Sequence, residues 1–213
     1  RAAIIVQQSG ADSLTLHLRE DRRHIRDLDL KKIIKKIKIP VNLEISPTFE
    51  MLEIALKNKP DYVCIVPEKR AEITTEGGLN LKKKKNFLKK MINSLKLQNI
   101  RVTLFIDPKL SDIKIAKELG ADCVEIHTGK YCNAFNSKKN IKKHFLNIKK
   151  AAQYSKYKNL EVHAGHGLTY KSVINISKIQ QISEFNIGHF IISESIFCGL
   201  KSSIKKFKKI INK

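Results

Sequence analysis

A repeat constrains this chain more than any other feature. Gly10-Ala11-Asp12-Ser13-Leu14-Thr15-Leu16-His17 returns in similar form as Gly120-Ala121-Asp122-Cys123-Val124-Glu125-Ile126-His127, 110 residues later. Between the two copies the hydrophobic period switches repeatedly from strand-like to helix-like. Strand patterns are predicted at 13–18, 41–45, 62–66, 101–106, 123–127, 160–164 and 185–187. Helical patterns fill the intervals, including 27–38, 48–58, 111–119, 138–156 and 170–178. The chain opens on the tail of a helix closed by Gly10 and ends in one that runs to about Ile211. Such βα alternation requires a parallel sheet covered by helices, either open and doubly wound or closed into a barrel. Four βα units separate the copies, about 27 residues each, close to the roughly 31 per unit of a (β/α)8 barrel. Similar units four apart are what two half-barrels leave. The expected fold is therefore an α/β, (β/α)8 TIM barrel, a single domain over 1–213. Seven units are present, so the first strand of the barrel is expected to precede Arg1.

Strand parity supports closure. Successive strand side chains point to opposite faces. One alternating set is apolar: Leu14 and Leu16, Leu43 and Ile45, Val102, Leu104 and Ile106, Val124 and Ile126, Leu160 and Val162. These should face the helices. The other set is polar: Thr15 and His17, Asn42 and Glu44, Thr103 and Asp107, Glu125 and His127, Glu161 and His163. That set converges on the barrel axis, where aliphatic packing is the rule. Polar groups placed there cost free energy unless they pair or meet a ligand. The pattern points to a polar chamber at the C-terminal ends of the strands, where barrel enzymes place their chemistry.

Charge narrows the partners. The chain has 42 Lys+Arg against 20 Asp+Glu, a net charge of +22. Most lysines lie on the polar arcs of amphipathic helices, as in Ile204-Lys205-Lys206-Phe207-Lys208-Lys209-Ile210, which marks solvated faces. A nucleic-acid-binding protein is the alternative raised by charge alone, but it leaves the inward His and Glu unexplained, and no nucleic-acid partner is expected. The arginines are more selective. Four of the seven fall within eight residues, at Arg19, Arg22, Arg23 and Arg26. A guanidinium fork grips phosphate or carboxylate in two bonds. Arg19 ends a strand and is expected to bind substrate. Arg22, Arg23 and Arg26 fit equally well a phosphate site or an ion-pair knot with Glu20 and Asp21. No apolar run approaches the ~18 residues of a membrane span, and no secretory signal opens the sequence. The four cysteines form no CxxC pair, which disfavours a disulfide scaffold. A cytoplasmic protein with no membrane partner is expected.

His17, Glu44 and Glu125 sit late in their strands on the inward set. His166 lies in the loop Ala164-Gly165-His166-Gly167-Leu168. Six of the seven histidines fall at strand ends or in the loops after them. Glycine-bearing loops follow the last two strands, at 165–167 and Gly188-His189, where barrels commonly bind phosphate through backbone N–H groups. His127 and His163 with Glu125 could hold a divalent ion, but no tight ligand spacing supports it. Neither a GxxxxGK[ST] nor a GxGxxG motif occurs. Acid–base chemistry on small phosphorylated substrates fits this inventory best. Another phosphate-binding TIM-barrel aldolase or isomerase is the competing enzyme class. An aldolase would want an inward lysine for a Schiff base, and the inward set contains none.

Six blocks in order carry a specific resemblance: 17–25 (His-Leu-Arg-Glu-Asp-Arg-Arg-His-Ile), 67–70 (Pro-Glu-Lys-Arg), 74–78 (Thr-Thr-Glu-Gly-Gly), 125–129 (Glu-Ile-His-Thr-Gly), 164–169 (Ala-Gly-His-Gly-Leu-Thr) and 186–189 (Asn-Ile-Gly-His). Together they resemble the pyridoxine 5′-phosphate synthase family over essentially the whole chain. The resemblance implies a barrel that condenses 1-deoxy-D-xylulose 5-phosphate with 3-amino-2-oxopropyl phosphate, without metal or organic cofactor, usually as a homo-octamer. It implies His17 and Glu44 as general bases, His166 as proton donor and Glu125 as stabiliser of charged intermediates. Arg19, His24 and Thr74 would hold the deoxyxylulose phosphate, with the loop around Thr74 as a lid. Gly167, Gly188 and His189 would hold the phosphate of the amino ketone. The family's first strand carries an Asn-x-Asp-His segment that nothing in this sequence matches, and His163 stands where many relatives are expected to have Asn.

Overall fold

The computed structural model describes residues 1–68 and 77–212. After a short helix α1 (Ala2–Gln8), seven strands alternate with helices: β1 (Leu14–His17), α2 (Asp27–Lys36), β2 (Val41–Ile45), α3 (Phe49–Asn58), β3 (Tyr62–Ile65), α4 (Lys85–Lys96), β4 (Arg101–Ile106), α5 (Leu110–Leu119), β5 (Cys123–His127), α6 (Gly129–Ser137), α7 (Ile141–Tyr157), β6 (Glu161–Gly165), α8 (Tyr170–Ile176), β7 (Glu184–Asn186), α9 (His189–Cys198) and α10 (Leu200–Ile211). All strands are parallel and pair in chain order from β1 to β7. The sheet curls into a nearly closed barrel. Its edge strands β1 and β7 approach closely enough for Thr15 Oγ1 to donate to Asn186 Oδ1 at 2.8 Å.

Local chemistry sets the boundaries. Gly10 and Gly120, the first residues of the repeat, both take φ of +87°, a left-handed turn between helix and strand that glycine adopts without strain. That shared turn is the physical content of the repeat's opening. Thr48 caps α3 by accepting the Met51 N–H, and Thr169 caps α8 by accepting that of Ser172. Asp27 is the first residue of α2. Arg26 takes the cap position, and its N–H donates to Asp29. The helix expected over 138–156 is α7, with α6 as an additional helix before it, and the expected last helix divides in two. Lys138 and Asn140 turn left-handed between α6 and α7, and Gly199, at φ of +78°, separates α9 from α10.

The outward strand set forms the core except on the edge strand β1, where Leu14 and Leu16 are half-buried. Leu43, Ile45, Val102, Leu104, Ile106, Val124, Ile126, Leu160 and Val162 are fully buried against the inner faces of the helices. Each such side chain contributes about 1.5–3 kcal/mol of transfer free energy. Helix α10 shows the matching stripe: Ile204 and Phe207 are buried while Lys205, Lys206, Lys208 and Lys209 ride its outer arc. The lysines are helix-face residues, as their spacing requires. The inward set is left to line the barrel axis.

Candidate active site

The parallel register puts His17, the last residue of β1, opposite Glu44 of β2. His17 Nδ1 lies 3.6 Å from Glu44 Oε2. The other ring nitrogen, Nε2, lies 3.6 Å from Glu68 Oε2. Glu68 is anchored by the Glu20 N–H, which donates to its Oε1 at 3.0 Å, and that oxygen is 3.6 Å from Arg19 Nε. Arg19 Nε is also 3.6 Å from Asp21. A carboxylate thus stands on each side of the imidazole, and two flank the buried guanidinium. Sequence reasoning assigned no role to Glu68. The signal was present, because the inward parity of β3 (Tyr62, Cys64, Val66) continues to it.

Burial dominates the electrostatics. It pushes the Glu44 carboxyl up to about 7. Burial, then the positive charges of Arg19 and His24, pull the His17 imidazole down to about 4. At neutral pH His17 is therefore an uncharged imidazole with a lone pair available to accept a proton. Glu125 is pushed well above the carboxylate range by burial and by the charge of Glu44. It is held by Asn186, whose Nδ2 donates to Oε2 at 2.8 Å, and by the Cys64 thiol at 3.7 Å. On its other side Glu125 fills the space left by the missing side chain of Gly165. A Cβ built there would lie 2.1 Å from Oε1.

The raised Glu44 value makes a stability prediction. A carboxyl whose folded value exceeds its unfolded one costs nothing below about 4.5 and its full penalty above about 7. The Glu44→Gln variant should gain stability relative to the parent as pH rises through that window, by on the order of 3 kcal/mol at the plateau. Urea melts of both proteins at several pH values check the sign; a difference that shrinks with rising pH would refute it.

His166 follows β6 with φ of +79°. Its carbonyl accepts from Thr128 Oγ1 at 2.6 Å, and its ring packs 4.8 Å from that of His127. Burial and neighbouring His166 pull His127 down to about 4, and its Nδ1 stands 3.6 Å from Asp107. Gly167, Gly188 and His189 are exposed at the ends of β6 and β7, and α9 begins at His189. Thr74 lies outside the described residues. His24 is exposed beside the site. Arg22 resolves as an ion-pair residue, bonded to Asp27 and Glu50, and Arg23 likewise bonds Asp21. His127, His163 and Glu125 do not gather as one ligand set. Among the described residues the group close enough to share a cation is Cys123, Glu161 and His163, at the opposite end of the barrel. The Arg101 guanidinium already occupies that group, bonded to Glu161 and 3.5 Å from the Cys123 sulfur.

A family model described as pyridoxal phosphate biosynthesis protein PdxJ matches residues 1–213. The pyridoxine 5′-phosphate synthase of Pelagibacter ubique is 57% identical over 208 residues, covering 98% of this chain and 87% of the relative. That of Sulfurihydrogenibium sp. is 52% identical over 214 residues, covering 99% and 87%. The enzyme of the same name from Aquifex aeolicus is 48% identical, covering 99% and 88%. Among solved structures, the tryptophan synthase A-subunit of Pyrococcus furiosus superposes with a TM-score of 0.67 at 11% identity, covering 98% of this chain and 90% of that one. A 4-hydroxy-2-oxoglutarate aldolase does so with the same TM-score and identity, covering 99% and 86%. At that identity the likeness speaks for the barrel alone.

Proposed function

The chain belongs to the PdxJ family, and we propose that it condenses 1-deoxy-D-xylulose 5-phosphate with 3-amino-2-oxopropyl phosphate to give pyridoxine 5′-phosphate, phosphate and water. Its activity is that of a biosynthetic pyridoxine 5′-phosphate synthase. The observation that carries the residue-level reading is His17 set 3.6 Å from Glu44, at the end of the barrel that also holds Glu125 and His166.

In this reading each residue has a physical task. Imine formation, phosphate loss, water loss and ring closure all move protons, so several bases and acids must share one sheltered chamber. His17 accepts a proton on its neutral ring. Glu44, near half-ionised at neutral pH, accepts a second. His166 donates one to a departing oxygen. Glu125 answers charge that develops on the condensing substrates. Arg19, buried and fixed by two carboxylates, presents a rigid positive group to the deoxyxylulose phosphate, with His24 and Thr74. Backbone N–H groups at Gly167, Gly188 and His189, beside the start of α9, hold the second phosphate. The same reading carries a single domain over 1–213 whose barrel would be closed by an eighth strand between β7 and β1. It also carries a cytoplasmic homo-octamer. The exposed apolar side chains Ile192, Ile196 and Phe197 of α9 are a surface suited to a neighbour. Among the described residues no helix is long and apolar enough to cross a membrane.

Incubating the chain with both substrates and following the ultraviolet absorption of the pyridine product tests the reading. Product should form only when both are present. A folded chain that yields none under those conditions would overturn it.

A further inference from the structure

In a (β/α)8 barrel the interior is filled in layers of four, each layer supplied by alternate strands, and those positions are normally aliphatic. Here alternate strands β1, β3, β5 and β7 supply Thr15, Cys64, Glu125 and Asn186. All four are polar, and they touch one another. Thr15 Oγ1 donates to Asn186 Oδ1 at 2.8 Å. Asn186 Nδ2 donates to Glu125 Oε2 at 2.8 Å. The Cys64 thiol donates to the same oxygen at 3.7 Å. On the neighbouring strand β2, Asn42 Nδ2 reaches Thr15 Oγ1 at 3.4 Å.

The direction of these bonds has a chemical consequence. An amide has one accepting and one donating end. The Thr15 hydroxyl, by donating to Oδ1, turns the Nδ2 end of Asn186 toward Glu125. Every proton along Asn42, Thr15 and Asn186 then points toward Glu125 Oε2, and such chains polarise cooperatively in a shielded interior. Oε2 receives two donors, from Asn186 and Cys64, so a proton on the carboxyl belongs on Oε1. That oxygen faces the strand end at Gly165, next to His166.

We propose that Thr15 and Asn186 are positioning residues of the reaction: they form a one-way hydrogen-bond chain across the seam between β1 and β7 that fixes Oε2 of Glu125 as an acceptor and keeps Oε1 as its working oxygen. The proposal rests on the functional reading above only in taking Glu125 as a working group. Glu44 on β2, Cys64 on β3, Glu184 on β7 and His163, paired with Glu125 in the β5–β6 register, are the other titratable groups around it.

Two measurements test it. The first is kinetic. Thr15→Val keeps the shape of the side chain but removes the hydroxyl that orients the amide. It should lower kcat roughly tenfold, the factor equivalent to one hydrogen bond, with KM for both substrates little changed. Thr15→Ser should recover most of that loss. Asn186→Ala should lower kcat further. The double variant should be no worse than Asn186→Ala alone, because both act through one chain. The second measurement needs no turnover. The infrared carboxyl band that disappears in Glu125→Gln is followed against pH in the substrate-free protein. Its midpoint should rise by about one unit in Asn186→Ala, since a donor to the ionised form is lost.

Parental kcat in Thr15→Val, or losses in the two variants that simply multiply, would overturn the proposal. So would a variant that melts lower but leaves the infrared midpoint where it was, which would make the contacts structural only. Should the parent chain make no product, the functional reading fails, and the infrared titration still decides whether the chain of bonds controls Glu125.

Discussion

Replacing His17 with alanine should lower kcat by about a thousandfold, within the span that positioned acid–base groups contribute, while leaving the fold in place. The rate should fall because the neighbours cannot substitute for it. Glu44 lies on the Nδ1 side of the ring and Glu68 on the Nε2 side, so neither carboxylate occupies the position from which the imidazole would accept the proton. The fold should survive because the ring is uncharged at neutral pH and makes only 3.6 Å approaches to those carboxylates. Its loss therefore removes no ion pair. It does leave two carboxyls facing a small gap, which water can enter at this partly exposed end of β1. Single-turnover kinetics and a thermal melt on the same preparation provide the check. Near-parental turnover would remove His17 from the mechanism. A chain that no longer melts cooperatively would show that the site and the fold are less separable than the contacts imply. His17→Gln, similar in size but not basic, should show the same kinetic loss.

A single added methyl group should do comparable damage at Gly165. Its Cβ would stand 2.1 Å from Glu125 Oε1 and 3.0 Å from the Asn186 carbonyl oxygen. The carboxyl has little freedom to retreat, because its other oxygen is held by Asn186 and Cys64. Nor can the strand shift easily. The Gly165 carbonyl accepts from both the N–H and the hydroxyl of Thr128, at 2.9 and 2.8 Å. Gly165→Ala should therefore cost about 1–3 kcal/mol, the usual penalty for overpacking, and lower kcat about a hundredfold by displacing Glu125. Urea denaturation and steady-state rates measure the two effects. Adding Glu125→Ala to Gly165→Ala should return part of the stability but none of the rate. Parental stability in the single variant would mean that the strand yields more readily than its hydrogen bonds suggest.

Much of this site was legible in the order of residues, for one reason. A strand alternates its faces with a period of two, so the polar half of each strand had to share an enclosure once the apolar half was buried under helices. His17, Glu44 and Glu125 were reached that way, and the His17–Glu44 contact follows from the β1–β2 register. The same parity, continued past the end of β3, would have flagged Glu68. The arginine cluster could not be resolved from sequence. Arg19, Arg22 and Arg23 all sit beside carboxylates, Arg19 buried and the other two nearer the surface, and burial is what the local pattern does not reveal. The helix expected over 138–156 is present as α7, but the short helix α6 before it was not read, because Lys138 and Asn140 leave the helical region in a stretch with no Gly or Pro to mark a boundary.

Local pattern settled the alternation of strands and helices, the face each strand buries, and the types of chemical group that had to meet at one end of the barrel. Periodicity and residue identity are local properties, so they survive without coordinates. Which groups touch emerges from the folded chain: Glu68 against His17 and Arg19, Arg101 against Glu161, and the bonded row from Thr15 through Asn186 to Glu125. Those contacts join residues up to 171 positions apart. They depend on how far the sheet curls toward closure, which no local pattern encodes.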